Sequence, residues 1–403
     1  MRYVIVLGDG MADLPCDSLG GKTPLEVAKK PNMDSAAKYG KMGMMRTVYE
    51  GMAPGSDVAN LCVMGYNPRI YYSGRSPLEA ASIGVPLTDT DITYRANLVT
   101  LSNEPVYENK TMLDYSAGEI TTQEASALIQ TLKQELDSEL FQLFAGVSYR
   151  HLLIRKDEKK AGRLTPPHDI SDRPIKEYLP EDSVLLSLMK KSHEILKQHP
   201  VNQERIRRGL HPADSLWIWG EGVKPRLDRF SDKYHMTGSV ISAVDLIKGI
   251  GVLTGLNIIE VPGATGTVHT NFDGKRDAAL KALRDGTQYL YIHLEAADES
   301  GHQGSAEDKI RSIELIDEKI YGPVLRCLRE LKEPFRLLVL PDHPTPLKLK
   351  THTADPIPFL LLKDSDNQLR DADAVYTENY AQKSDIFLEE GHTLLEKVIN
   401  NEL

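Results

Sequence analysis

The sequence predicts an α/β protein: a doubly wound, mostly parallel sheet that carries an inserted, smaller α+β domain. Three short, continuous apolar runs, residues 3–7, 289–294 and 336–340, are rich in Val, Ile, Leu and Tyr and are separated by helical stretches. That is how strands buried on both faces of a parallel sheet read. Each run leads within a few residues to an aspartate, namely Asp9, Asp298 and Asp342. Open α/β sheets bind ligands just past the carboxyl ends of their strands, so three such aspartates point to one shared site. The residues with metal-ligand chemistry lie before and after a long middle stretch and not within it, which an insertion explains.

The elements follow in order. Residues 1–87 and 230–403 form the discontinuous catalytic domain, and residues 88–229 the inserted one. Within the first, residues 239–249 read as a helix followed by a strand at 256–261. Residues 305–331 read as a long amphipathic helix, with Ile310, Ile313, Ile316, Ile320 and Val324 near helical spacing and a break or kink expected at Gly322-Pro323. The insertion mixes strands at 92–101, 147–154 and 216–219 with helices at 122–136 and 183–198. Pro- and His-bearing loops such as Thr165-Pro-Pro-His-Asp169 join them. Trp217 and Trp219 alternate along one of these strands and read as packing residues. Gly263-Ala-Thr-Gly266 reads as a plain turn. No internal repeat or low-complexity tract is present.

With 403 residues, 41% of them hydrophobic, the chain can bury a large core, and no segment has a disordered composition. A net charge of −10 argues against a nucleic-acid partner, which would demand clustered Lys and Arg. It leaves room for a small anionic substrate, since a metal site or a local Arg cluster inverts the field within one cleft. The three cysteines, Cys16, Cys62 and Cys327, are scattered and odd in number, so a reducing, cytoplasmic home is expected. The first residues read as a strand interrupted by Asp9 and not as a signal segment. The longest apolar stretch, residues 240–261, contains Asp245, Lys248 and Glu260, so no membrane span is expected. The sequence leaves the oligomeric state open.

The sharpest chemical signal is Asp298-Glu-Ser-Gly-His302, followed by Asp342-His343 and His352. Carboxylates and imidazoles without cysteine suit Mn²⁺, Zn²⁺ or a related divalent ion. Neighbours such as Asp342 and His343 project to opposite sides of an extended backbone and could serve two adjacent metals. In Ala53-Pro-Gly-Ser56-Asp57-Val-Ala-Asn-Leu61, Ser56 is placed as the N-cap of a short helix ending near Gly65. Its oxygen either accepts a backbone N–H there or, at the positive helix end, receives a phosphoryl group.

Taken together, Gly8-Asp9-Gly10-Met11-Ala12-Asp13, Pro54-Gly55-Ser56-Asp57-Val58-Ala59-Asn60, Gly74-Arg75-Ser76-Pro77-Leu78-Glu79-Ala80-Ala81, Ser242-Ala-Val-Asp-Leu246, Val261-Pro-Gly-Ala-Thr265, Asp342-His343 and His352-Thr-Ala-Asp-Pro356 resemble the archaeal-type cofactor-independent phosphoglycerate mutases. That family belongs to the alkaline phosphatase superfamily, and the resemblance runs from the first strand to about Phe359. It implies an alkaline-phosphatase type of sheet and a phosphoserine route between 3-phosphoglycerate and 2-phosphoglycerate, with Ser56 as the nucleophile. One divalent metal would be held by Asp298, His302 and His352, and a second by Asp9, Asp342, His343 and the Ser56 oxygen. Mn²⁺ is the foremost expectation, with Zn²⁺, Co²⁺ or Mg²⁺ as alternatives, and no 2,3-bisphosphoglycerate is required. The resemblance also implies that the inserted domain covers a small phosphorylated substrate, with Arg75, Arg95, Arg150, His151, His168 and Asp169 as candidate contacts. One departure is Met236-Thr237, where a basic residue is expected. A related phosphotransferase acting on another hydroxyl acceptor, of a homoserine-kinase type, or a metal-dependent phosphatase, would use the same ligands.

Overall fold

The computed structural model describes residues 1–403. Its strands, in chain order, are β1 (Arg2–Gly8), β2 (Lys41–Met45), β3 (Ile92–Leu101), β4 (Met112–Asp114), β5 (Phe141–Phe144), β6 (Arg150–Arg155), β7 (Ser215–Val223), β8 (Gly238–Ile241), β9 (Asn257–Ile258), β10 (Tyr289–Leu294), β11 (Phe335–Leu340), β12 (Ile357–Lys363) and β13 (Phe387–Leu388). The chain forms two compact units, Met1–Tyr72 with Arg226–Leu403, and Ser73–Pro225. No helix is long and apolar enough to cross a membrane.

The first unit is built on an eight-stranded sheet in the order β13-β2-β12-β11-β1-β10-β8-β9. β1 sits between β10 and β11, parallel to both, and its last residues align with theirs: Leu7 pairs with His293 and with Leu340. The two contacts of β12 are antiparallel, so the sheet is mostly and not wholly parallel. Central strands with helices on both faces need apolar side chains on both, and β1, β10 and β11 are buried almost throughout. On one face Val4, Val6, Leu290, Ile292, Leu337 and Val339 join Leu283, Ile313, Ile316 and Val324 in one core. Elsewhere the helix Asp245–Leu253 packs on β8 and against the helix Ser56–Val63.

Three local expectations change. Residues 239–241 are strand and not helix, because Ser239, Val240 and Ile241 pair with Leu290, Tyr291 and Ile292 in the sheet; the helix starts only at Asp245. The expected strand at 256–261 shrinks to the two edge residues of β9. At Gly322-Pro323 the long helix is not broken in two, but its α-helical course is interrupted just before the pair: a π-helical turn, Ile316–Tyr321, leads directly into Gly322–Leu331.

The second unit holds a five-stranded antiparallel sheet in which β3 pairs with β4, β6 and β7, and β5 pairs with β6. The helices Thr122–Leu136 and Ser183–Leu196 bury Leu128, Leu132, Leu185 and Met189 in its core. This unit begins earlier than residue 88. The helix Ser76–Ser82 is tied to β3 by the Ser76 hydroxyl, 3.0 Å from the Thr93 carbonyl oxygen, and Ala80 packs with Leu152 and Ile154.

Candidate active site

The three central strands deliver their aspartates to one edge of the first unit's sheet. Asp9 follows β1 directly, and Asp342 follows β11 after Pro341. Asp298 and His302 stand one helical turn apart on Ala296–Gln303, the helix that opens after β10. Two glycines let these segments meet. Gly10 has φ +64°, and a Cβ on it would lie 2.6 Å from the Asp298 Cα; its N–H donates to Asp342 Oδ1 at 3.1 Å. A Cβ on Gly301 would lie 2.6 Å from the Thr345 carbonyl oxygen.

Ser56 is not the N-cap. Gly55, with extended backbone, holds that position, and Ser56 is the first residue of its helix. Its hydroxyl therefore makes no cap and points into the cluster, with Oγ 3.1 Å from His343 Nε2 and 3.4 Å from Asp9 Oδ2. Asp342 accepts at Oδ1 from the His343 N–H as well as from Gly10, and at Oδ2 from Asn60 Nδ2 at 2.9 Å. Asp9 Oδ2 faces His293 Nε2 at 3.0 Å, whereas Asp9 Oδ1 is buried with no hydrogen-bond partner.

The second donor group adjoins the first. Asp298 Oδ2 lies 3.3 Å from His302 Nε2, and Asp298 Oδ1 lies 3.3 Å from His352 Nε2. The two imidazole Nε2 atoms face each other at 2.9 Å. Ligand atoms of Asp298, His343 and His352 lie within 4.8 Å of one another, as do those of Asp9, Asp342 and His343, so His343 borders both groups.

Hydrogen bonding prepares these imidazoles for a cation. His302 Nδ1 is 3.0 Å from the Lys350 carbonyl oxygen, His352 Nδ1 is 3.4 Å from that of Pro54, and His343 Nδ1 is 3.3 Å from Thr345 Oγ1. The Thr345 hydroxyl donates to Asp298, so Thr345 must accept from the His343 N–H. With its proton on Nδ1, a neutral imidazole here aims its Nε2 lone pair inward, as metal-binding imidazoles require. The 2.9 Å approach of the His302 and His352 Nε2 atoms beside the Asp298 carboxylate suits a cation held between them.

The electrostatics agree. Burial, then the charges of Asp342, Asp298 and Glu295, push the Asp9 carboxyl well above its usual range. Burial also works on Asp298, but hydrogen bonds from His302 and His352 outweigh it and hold that carboxyl well below its usual range. The hydrogen bond to Asp298 lifts His302 to about 9 against the effect of burial, while burial keeps His343 low. The donor set thus attracts a cation on the His302 side and crowds anions on the Asp9 side.

Of the substrate-contact candidates, all in the second unit, most form one neighbourhood. Glu79 joins two of them, with Oε1 3.1 Å from Arg75 Nε and Oε2 3.1 Å from Arg95 Nε. The Arg95 guanidinium lies 4.3 Å over the Trp219 ring, and the His168 ring meets the same indole edge-on at 5.4 Å. Burial lowers the Arg95 pKa to about 10; Glu79 opposes this, and the charges of Arg75 and Arg150 add to it. His168 is lowered by burial, opposed by Asp169 and reinforced by Arg95 and Arg75. His151 is not part of this group. It alternates with Arg150 along β6, is buried, and its Nδ1 accepts the Gly146 N–H at 3.1 Å. Trp219, expected only to pack, is the platform under Arg95. Sequence reading also missed His293 and Asn60, whose roles come from partners hundreds of residues away, and Thr345, which bonds Asp298 from 47 residues on.

Comparison with known proteins accords with this geometry. Residues 37–202 match the family model for 2,3-bisphosphoglycerate-independent phosphoglycerate mutase. A protein of that name from Methanosarcina barkeri is 47% identical over 399 residues, covering 98% of both chains. A Geobacter sulfurreducens protein, named a probable enzyme of this kind, is 46% identical over 99% of this chain and all of its own. Among solved structures, a Pyrococcus horikoshii protein shares 26% identity with a TM-score of 0.82, covering 99% of this chain and 97% of that one. The cofactor-independent phosphoglycerate mutase of Thermoplasma acidophilum, at 23% identity and a TM-score of 0.62 over the full length of both chains, has the same fold. The chain belongs to the 2,3-bisphosphoglycerate-independent phosphoglycerate mutase family.

Proposed function

We propose that the chain interconverts 3-phosphoglycerate and 2-phosphoglycerate through a phosphoserine at Ser56. The observation that carries this reading is the Ser56 hydroxyl itself. It is released from capping duty and set at a helix N-terminus, 3.1 Å from His343 Nε2 and 3.4 Å from Asp9 Oδ2.

Asp298, His302 and His352 would hold one divalent cation, and Asp9, Asp342, His343 and Ser56 a second; Mn²⁺ suits these donors. When bound, the pair supplies the positive charge that favours loss of the Ser56 proton and neutralises the phosphoryl oxygens. Ser56 Oγ gives up its proton and attacks the phosphorus as the bond from phosphorus to the 3-oxygen of the substrate breaks; the 3-oxygen takes up a proton, leaving phosphoserine and glycerate. The glycerate turns, and its 2-hydroxyl gives up its proton and attacks the same phosphorus while the bond to Ser56 Oγ breaks and that oxygen regains a proton. A phosphoryl group on Ser56 would sit at the N-terminus of the helix Ser56–Val63, an end that favours anions. Arg75, Arg95 and Arg150, with His168 and Asp169, are suited to grip the substrate's carboxylate, because planar guanidinium forks bind such groups in two places. Covering the substrate, and so keeping water from the phosphoserine, is the role we assign to the inserted unit.

The test is an assay with purified protein and Mn²⁺. 3-Phosphoglycerate alone, with no 2,3-bisphosphoglycerate, should yield 2-phosphoglycerate by phosphorus NMR. Release of inorganic phosphate in its place would make the chain a phosphatase. Transfer from ATP to homoserine, without mutase turnover, would make it a kinase.

A further inference from the structure

β10 contributes none of the seven proposed ligands, yet two of its side chains support both carboxylates of one donor group. Tyr291 and His293 are two residues apart, so they share a face of the strand, and both are fully buried. The Tyr291 hydroxyl donates to Asn60 Oδ1 at 2.6 Å, and Asn60 Nδ2 donates in turn to Asp342 Oδ2 and to the Ser56 carbonyl oxygen, both at 2.9 Å. His293 Nε2 lies 3.0 Å from Asp9 Oδ2, and its Nδ1 lies 3.3 Å from Ser242 Oγ.

The hydrogen bonds around His293 run on as a chain. The Val244 N–H donates to Ser242 Oγ at 3.0 Å, and the Ser242 hydroxyl is in reach of His293 Nδ1. When Nδ1 accepts from Ser242, the imidazole carries its proton on Nε2 and donates it to Asp9. With Asp9 Oδ2 occupied in this way, the oxygen left over is Oδ1, the buried atom with no partner. Asp342 is held likewise, by Gly10 and His343 on one oxygen and by Asn60 on the other. Neither side chain hydrogen-bonds to Asp298, His302 or His352.

We propose that Tyr291 and His293 are positioning residues that set the divalent-cation affinity of the Asp9–Asp342–His343 group selectively, leaving that of the Asp298–His302–His352 group unchanged. The inference rests on the metal-site reading above, and the physical reason is pre-organisation. A carboxylate already held by a hydrogen bond presents its free oxygen without losing rotational freedom on binding, and removing such a support typically costs about 10–100-fold in metal affinity.

The test is Mn²⁺ titration of chelator-stripped protein, following bound ion by calorimetry and by the loss of the free-Mn²⁺ resonance signal. Wild type should take up two ions. Tyr291→Phe, which removes one oxygen and no bulk, and His293→Leu should each weaken one site by roughly 10–100-fold, with the other held within about twofold. His293→Gln, whose amide N–H reaches the place of Nε2, should restore most of the loss. Wild-type protein that binds no Mn²⁺ would refute the metal-site reading itself. Two wild-type ions with an unchanged Tyr291→Phe titration would overturn this proposal, whatever His293→Leu does. Equal weakening of both sites in Tyr291→Phe would overturn it too, by reducing β10 to general packing.

Discussion

Replacing Lys309 by Met should destabilise the first unit by an amount its surroundings fix. Lys309 is fully buried, and its ammonium donates to Asp13 Oδ2 at 2.7 Å, to the Thr345 carbonyl oxygen at 2.8 Å and to that of Ala12 at 3.2 Å. It thereby ties the segment after Asp9 to the segment after His343. Lys309→Met keeps the stem volume but strands the Asp13 carboxylate in the core. Breaking one side of a buried pair costs about 3–5 kcal/mol. Asp13 retains N–H donors from Leu14 at 2.8 Å and from Leu347 at 3.2 Å, which places the loss near the lower end. About 3 kcal/mol corresponds to a fall in Tm of roughly 6–12 °C for a unit of this size. Asp13→Asn in the same chain removes the stranded charge, so the double variant should recover at least half the loss. Calorimetry with urea denaturation at pH 7 would measure both. A single-variant loss below about 1 kcal/mol, the worth of an ordinary hydrogen bond, would refute this reasoning. So would a double variant no more stable than Lys309→Met alone.

Two further outcomes follow. Among the proposed ligands, His302 adjoins Asp298 and His352, whereas His343 borders both donor groups. Equilibrium dialysis against Mn²⁺ should therefore find one ion on His302→Ala and weakened uptake at both sites on His343→Ala; two ions on His302→Ala would contradict the ligand assignment. In the second unit, burial raises Asp214 to about 7 against the Leu101 N–H bond and the charge of Lys110. The folded chain then holds a proton that the unfolded chain releases near pH 4, so this group's destabilising effect grows as pH rises from about 4 to 7 and is complete above that. Asp214→Asn should be more stable than wild type, by a margin that widens from pH 5 to pH 8 in denaturant midpoints.

Much of the site was legible because its parts announce themselves locally. Strands buried on both faces leave continuous apolar runs, and Asp9, Asp298 and Asp342 stand just beyond them. The helix after Gly55 was equally plain, but the duty of its first side chain was not. Whether Ser56 caps or points away depends on the extended backbone of Gly55, which the residue types do not fix. His293, Asn60 and Thr345 left no local signal, since each matters through a partner brought near only by the sheet order. Residues 239–241 looked helical because the periodicity of the following helix was extended one turn too far. The placement of His151 was open to better reading: if Arg150 faces one side of a strand, its neighbour faces the other.

The central claim is that the phosphoryl group rests on Ser56, and mass spectrometry of protein quenched during turnover tests it most directly. With 3-phosphoglycerate and Mn²⁺, the account predicts a phosphate on the peptide containing Ser56. It predicts none on Ser56→Ala, which should be inactive yet folded, since losing that hydroxyl removes at most a hydrogen bond worth about 1 kcal/mol. A folded Ser56→Ala protein that interconverts the two phosphoglycerates at near wild-type rate would contradict it.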